Sequence, residues 1–301
     1  MKQKFAVIGH PIGHSLSPDM HNASFKELGI DGSYQKIEIK EEELGEFMKK
    51  AKNEFSGLNV TIPHKVAVMD YLDGLDKSAK AAGAVNTVHF SKSGAIGYNT
   101  DGMGAIDALE KAFKSKKILH GGSGESAKCK KFLHGVEDAA GGTIKGKKIL
   151  LIGAGGAAKG IASEAIMRGA LLTICNRTKE KAEKLARDVG KAGVVAFDEK
   201  AVTRAVKDSD IVINATSMGM EPRTDKTPLT KEQMRPGLTV MDIVYNPLKT
   251  QLLKEAEGAG AIIISGVDMF VFQGAEAEKI WLGVEPPVET MRKTVMEILN
   301  D

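Results

Sequence analysis

Lys148-Ile149-Leu150-Leu151-Ile152-Gly153-Ala154-Gly155-Gly156-Ala157-Ala158 is an apolar strand that runs into a glycine turn and continues as a helical stretch reaching Gly169. Gly153, Gly155 and Ala158 fill a G-x-G-x-x-A turn, with Gly156 and Ala157 inside it. In that turn the first glycine permits the sharp reversal and the second lets backbone amides approach a pyrophosphate. The small third residue lets the helix pack close to its strand. A glycine turn alone can be a bare connection, but strand before and helix after give it the context of a dinucleotide site. Outward from it, strands are predicted at Leu171 to Cys175, Val194 to Phe197, Asp210 to Asn214 and Leu238 to Asp242, with helical stretches between. This alternation predicts a doubly wound Rossmann sheet over residues 103–244.

The end of the strand after the glycine turn refines the expectation. A carboxylate about 20 residues past the turn would bind the ribose hydroxyls of NAD. Here the residues are Asn176-Arg177-Thr178. Without a carboxylate there is no repulsion against a 2′-phosphate, and Arg177 offers a planar cationic fork, so NADP is favoured over NAD. The plainer alternative is that Arg177 is a solvated residue after a strand.

The composition sets the outer limits. A chain of 301 residues suggests about two domains, with enough length for a sizeable core. A net charge of +3 and 5% aromatic residues argue against a nucleic-acid-binding protein. No apolar run approaches the ~18 residues of a membrane span, and Phe5 to Gly9 is too short for a secretory core, so a cytoplasmic protein is expected. Cys129 and Cys175 are too few for a disulfide framework and lack paired metal-ligand spacing. No metal is expected. Residues 115–142, rich in glycine at Gly121, Gly122, Gly124, Gly141 and Gly142, read as an excursion longer than an ordinary connector.

The first hundred residues also alternate strand and helix: a strand from Lys4 to Gly9, a helix opened by Ser17 as N-cap with Pro18 in its first turn, and a helix over Glu41 to Lys52. A strand at Gly57 to Ile62 follows, with a short helix from Pro63, then a hairpin of Val85 to Phe90 and Ala95 to Thr100. Polar clusters punctuate the strand ends. Ser15 and Ser17 place two hydroxyls at the mouth of a strand and the start of a helix, an anion-accepting geometry, although Ser17 also suits a simple cap. Asn59 to Lys65 ends a strand with a lysine held by a turn. Asn86 and Asp101 add an amide and a carboxylate at strand termini, where either could equally serve a turn.

Taken together these stretches resemble the shikimate dehydrogenase family over nearly the whole chain outside 115–142. The resemblance rests on Gly9 to Pro18, Asn59-Val60-Thr61-Ile62-Pro63-His64-Lys65, Ala82 to Thr87, Tyr98-Asn99-Thr100-Asp101-Gly102, the glycine turn, and Asn176-Arg177-Thr178. Asp242-Ile243-Val244-Tyr245-Asn246-Pro247 and Gly266 to Gly274 complete it. It implies an N-terminal αβ substrate-binding domain of residues 1–102 and 245–301, joined to a Rossmann NADP domain of residues 103–244, with the C-terminal helices returning to the first. It further implies a small-molecule substrate, shikimate or 3-dehydroshikimate, and a monomer or homodimer. Lys65 and Asp101 would form the catalytic pair. Ser15 and Ser17 would hold the substrate carboxylate, with Tyr245 near it, and Thr61, Asn86 and Gln273 would hold the ring hydroxyls. Asn176, Arg177 and Thr178 would grip the 2′-phosphate, while Met218, Gly266 and Met269 would face the nicotinamide. A dual quinate/shikimate dehydrogenase is the neighbouring alternative, and a non-catalytic nucleotide sensor the one from another class.

Overall fold

The computed structural model describes residues 3–114 and 142–300, so the predicted excursion, with Cys129, His120 and His134, lies outside the described residues apart from Gly142. Two compact units are present. The first runs through Gly104, takes in Lys159–Ser163 and resumes at Phe270; the second holds the described parts of Ala105–Ala158 and Glu164–Met269.

The first unit is built on a six-stranded sheet. In chain order its strands are β1 (Gln3–Gly9), β2 (Gly32–Glu38), β3 (Gly57–Val60), β4 (Gly74–Leu75), β5 (Thr87–Ser91) and β6 (Gly94–Tyr98), arranged β2-β1-β3-β5-β6-β4. β1, β2 and β3 are parallel; β5 reverses against β3 and forms a hairpin with β6. Alternation along β1 shows how one strand serves two layers. Phe5 and Val7 enter a core with Ile12, Phe25, Tyr34 and Trp281, while Ala6 and Ile8 enter another with Leu44, Met48, Leu58 and Val60.

Helix α1 (Ser17–Leu28) follows β1, α2 (Leu44–Glu54) precedes β3, and α3 (Lys77–Ala82) precedes the hairpin. Three expectations need correction. Ser17 is the first residue of α1 rather than its cap: Leu16 holds the cap position and no side chain caps the helix. The stretch after Pro63 is a turn leading to a 3₁₀ helix at Ala67–Tyr71, and Glu41–Glu43 is a 3₁₀ turn ahead of α2. β2, unforeseen, is an edge strand on which only Tyr34 is buried, so it lacks the alternation that marks a strand.

The second unit carries an all-parallel sheet of β7 (Lys148–Ile152), β8 (Leu171–Cys175), β9 (Ala192–Val195), β10 (Ile211–Asn214), β11 (Thr239–Asp242) and β12 (Ile262–Ile264). The order β12-β11-β10-β7-β8-β9 is the doubly wound Rossmann arrangement, with its reversal between β7 and β10. β12 lies beyond Val244, where the sequence reading ended this series; its three isoleucines are too short a run to stand out in a helical tail. After α4 (Asp101–Lys114), the connecting helices are α5 (Gly156–Met167), α6 (Lys179–Val189), α7 (Glu199–Lys207) and α8 (Gln251–Gly258). Arg168 binds Asp107 and Glu110 of α4 and Glu164 of α5 at 2.7 to 2.9 Å, so α4 is tied into this unit past Ala105. Two further helices, α9 (Gly266–Leu282) and α10 (Val288–Asn300), close the chain, and α10 packs on α1. Among the described residues no helix is long and apolar enough to cross a membrane.

Trp281 of α9 is the largest anchor between the C-terminal helices and the first sheet. Its ring stacks on Phe5 at 4.9 Å, and its indole N–H donates to the Val88 carbonyl at 2.9 Å. Gly57 makes room for it, because a Cβ there would stand 2.2 Å from the indole nitrogen. The Gly57→Ala chain is therefore expected to lose about 1–3 kcal/mol of stability to overpacking, read as a lower urea midpoint with an unchanged slope.

Candidate active site

The first unit gathers its polar residues at one end of the sheet, and the backbone explains how. His64 N–H donates to the Thr61 carbonyl at 2.9 Å, and Val85 N–H donates to the Lys65 carbonyl at 2.7 Å, fixing the turn that presents Lys65. The buried His64 ring anchors the same turn, its Nε2 lying 2.6 Å from the Ile39 carbonyl and hence carrying the hydrogen. Thr61 stands at the end of β3, its amide on the Ile8 carbonyl.

Lys65 meets Asp101, the first residue of α4, with Nζ to Oδ2 at 2.5 Å and side chains only 13% and 6% exposed. Asn86 Nδ2 donates to Asp101 Oδ1 and to Thr100 Oγ1, each at 2.9 Å, and lies 3.4 Å from Gln273 Oε1. Its Oδ1 accepts from the Thr100 amide at 2.8 Å and from Thr87 Oγ1 at 3.0 Å. Lys65, Asp101, Asn86 and Gln273 are thus brought together from a turn, a helix start, a strand start and α9.

A second strand of this network was not read from the sequence. Asn59 Nδ2 donates to the Asn86 carbonyl and to Thr87 Oγ1, so its Oδ1 can only accept, and Tyr34 OH donates to it at 2.7 Å. Burial drives the Tyr34 phenol well above its ordinary range; a hydrogen bond donated by Ser17 opposes the rise, and the Glu278 charge adds to it. Ser15 Oγ lies 3.2 Å from Ser17 Oγ. Hydroxyls and amides therefore connect Ser15 and Ser17, through Tyr34 and Asn59, with Asn86 and Asp101. Asn59 lies inside a stretch singled out above, but nothing local marks Tyr34, whose strand was itself missed.

On the second unit the glycine turn follows β7. Gly153 has φ +122, and a Cβ there would come within 2.8 Å of the Ala215 carbonyl oxygen, so only glycine fits. Gly155 caps α5, which begins at Gly156-Ala157-Ala158, and a Cβ on Gly155 would meet nothing within 4 Å, leaving open space before the helix N-terminus. A cavity of about 270 Å³ joins Gly153, Asn176, Arg177 and Met218. The Met218 loop is held from below: Asn214 Nδ2 donates to the Met218 carbonyl at 3.3 Å and to Asp242 Oδ1 at 3.0 Å.

Thr178, Tyr245, Gly266 and Met269 do not line that cavity. Thr178 is the N-cap residue of α6, its carbonyl accepting from Asn176 Nδ2 at 2.8 Å. Tyr245 is half-buried after β11, Gly266 opens α9 against the Ile243 carbonyl, and Met269 is buried in α9. Phe197, Thr216, Arg223 and Lys226 do line it and were not predicted. Burial pushes the Cys175 thiol up to about 11, which leaves it inert as a nucleophile at neutral pH.

A Rossmann sheet with an open glycine turn and a cationic cavity, together with a unit holding a largely buried lysine–carboxylate pair, defines a two-unit nucleotide-dependent dehydrogenase. Three family models match: the shikimate dehydrogenase substrate binding domain at residues 7–88, shikimate / quinate 5-dehydrogenase at 136–246, and the shikimate 5′-dehydrogenase C-terminal domain at 266–296. The chain belongs to the shikimate dehydrogenase family. It is 45% identical to a shikimate dehydrogenase (NADP(+)) of Methanosarcina acetivorans, covering all of both chains. A crystal structure of a shikimate dehydrogenase in complex with NADP+ superposes with a TM-score of 0.86 at 38% identity, covering 100% of this chain and 96% of that one. The Thermus thermophilus enzyme in complex with NADP(H) and shikimate gives 0.82 at 32% identity, with 98% and 99% covered.

Asp242 supports a prediction about pH. Burial raises its carboxyl to about 6, against hydrogen bonds from Thr250, Val244 and Asn214 that favour the anion. Between about 4 and 6 the folded chain therefore binds more protons here than the unfolded chain, and this group's contribution to stability falls as pH rises, by on the order of 3 kcal/mol. Urea denaturation of wild type and Asp242→Asn at pH 4 and pH 7 is expected to show the wild type losing ground relative to the variant at the higher pH.

Proposed function

We propose that this protein is a shikimate dehydrogenase, catalysing the reversible reduction of 3-dehydroshikimate to shikimate with NADPH. The observation that carries the reading is the Lys65–Asp101 ion pair, 2.5 Å long and backed by Asn86, at the end of the first sheet. A protein that merely senses a nucleotide has no use for such a pair on its other unit.

The residues present suit the cofactor. The open space before α5, the glycine-only turn at Gly153 and the Arg177 cavity are the features that a pyrophosphate and a ribose 2′-phosphate require. Gly155, Gly156 and Ala157 would give backbone amides to the pyrophosphate, while Asn176 and Arg177 would hold the 2′-phosphate. Bound NADPH supplies the hydride to the ring carbonyl carbon.

The chain's own residues manage the oxygen. The Lys65 ammonium keeps one N–H on Asp101 Oδ2 and has two others to give, so it can donate to the carbonyl oxygen as negative charge builds there. When that oxygen becomes the hydroxyl, its new proton comes from the Lys65–Asp101 pair; in the oxidative direction the pair takes it back. Asn86 fixes Asp101 on its other oxygen, which holds the lysine on target. On substrate binding Ser15 and Ser17 would turn toward the carboxylate the hydroxyl hydrogens that they otherwise give to Ser17 and Tyr34. Thr61 and Gln273 would meet ring hydroxyls, and Asn86 would exchange its hydrogen bond to Thr100 for one to a ring hydroxyl. Tyr245, Thr178, Met218, Gly266 and Met269 keep the supporting roles that the family resemblance implies.

The test is a steady-state assay with shikimate and NADP+. Turnover is expected in the wild type, and Lys65→Ala should lower kcat by ~10² to 10⁴ while leaving the affinity for NADPH unchanged. A Lys65→Ala enzyme with near wild-type turnover would remove the lysine from the chemistry.

A further inference from the structure

The cavity that receives Arg177 also receives Arg223 and Lys226 from the loop after β10. Three cations line it and no carboxylate does. The loop brings the two residues there by consecutive tight turns. Arg223 N–H donates to the Met220 carbonyl at 2.9 Å and Lys226 N–H to the Arg223 carbonyl at 3.2 Å, and Gly219, at φ +93, starts the reversal. Lys226 is exposed and shares its charge with Asp225 at 2.9 Å, whereas Arg223 has no acidic partner among the described residues.

Charge arithmetic makes the arrangement informative. A phosphate monoester carries roughly −1.5 to −2 at pH 7, more than one guanidinium can balance. Three like charges around a small cavity repel one another unless an anion joins them, and an arginine fork is suited to two phosphate oxygens at once.

We propose that Arg223 is a second arginine on the ribose 2′-phosphate of NADP, acting with Arg177, and that Lys226 strengthens the field there. The proposal rests on the cofactor reading above and adds a specificity-determining residue to it. Phe197, also in the cavity and 40% exposed, then offers its ring to the adenine beside that phosphate.

The experiment is isothermal titration of the full chain with adenosine 2′,5′-bisphosphate and with 5′-AMP, for wild type, Arg177→Ala, Arg223→Ala and the double variant. Loss of one charge-assisted contact should weaken the bisphosphate about tenfold in Arg223→Ala, leave 5′-AMP within about twofold, and abolish the preference in the double variant. Raising the salt should narrow the gap between wild type and Arg223→Ala. A bisphosphate affinity within about twofold of wild type overturns the proposal. So does an equal loss for 5′-AMP, which would place Arg223 on the 5′-phosphate instead. A wild type that fails to prefer the bisphosphate would count against the NADP reading itself, a result separable from the failure of Arg223 alone.

Discussion

The buried amide of Asn86 is the constraint on which the first unit's site depends. Asn86 is 2% exposed and sits among Asn59, Thr87, Thr100 and Asp101, all of them buried. Polar groups taken out of water without partners cost about 1–3 kcal/mol each, so such a cluster is tolerable only if donors and acceptors match throughout. They do match here, and the matching fixes directions. The two hydrogens of Asn59 are used on Asn86 and Thr87, which leaves its oxygen for Tyr34, and the oxygen of Asn86 is filled by Thr100 and Thr87, while its hydrogens go to Asp101 and Thr100. Each side chain thus dictates the orientation of the next. An ion pair standing on this base is held in one geometry, so in the proposed reaction little reorganisation would be needed as charge develops beside it.

The second unit meets its requirement by a different means. Its site is made from backbone brought close to backbone, so the decisive residues are those without side chains. Gly153 passes the carbonyl of Ala215, and Gly266 passes the carbonyl of Ile243, at distances no Cβ allows. Beneath them Asp242, Asn214 and Thr250 form a buried relay: Thr250 Oγ1 donates to Asp242 Oδ2 at 2.6 Å, and Asn214 Oδ1 accepts from the amide and hydroxyl of Thr216. That relay shapes the loop carrying Met218 and Arg223. The raised carboxyl of Asp242 is the electrostatic cost of building the loop's support inside the protein rather than in water.

Much of this was legible in the sequence, and the misses share a cause. The parallel αβ class follows from the continuous apolar runs of β7, β10 and β11, which the structure buries on both faces, and the glycine turn announces its own geometry. Lys65, Asp101 and Asn86 stand in stretches with more polar chemistry than strand ends need, whereas Gln273 enters only through the family resemblance. By contrast β2 is a half-exposed edge and β12 a three-residue strand, neither long enough to display a period. Ser17 has the composition of a cap but lies one residue inside the helix, where its hydroxyl turns to Tyr34 instead. Arg223 sits in an exposed loop among Pro222, Thr224 and Asp225. Only the folded path of that loop shows that it shares a cavity with a residue some 46 positions earlier.

One buried group belongs to neither site and still bears on the first. Glu278 of α9 is wholly buried, bonded to His21 Nδ1 at 2.6 Å and to Ser24 Oγ at 2.5 Å, both on α1. Desolvating a carboxylate and an imidazole is expensive, and an apolar contact of equal volume would give as much stability or more. What the pair adds is register. Hydrogen bonds at two atoms of one carboxylate admit a single axial setting of α9 against α1, whereas apolar packing would tolerate sliding. His21 also stacks on Tyr34 at 4.3 Å, so the same contact bears on the phenol that joins Ser17 to Asn59. α9 carries Gln273 and α1 begins at Ser17; fixing one helix against the other therefore fixes the distance between the two groups proposed above to hold the substrate.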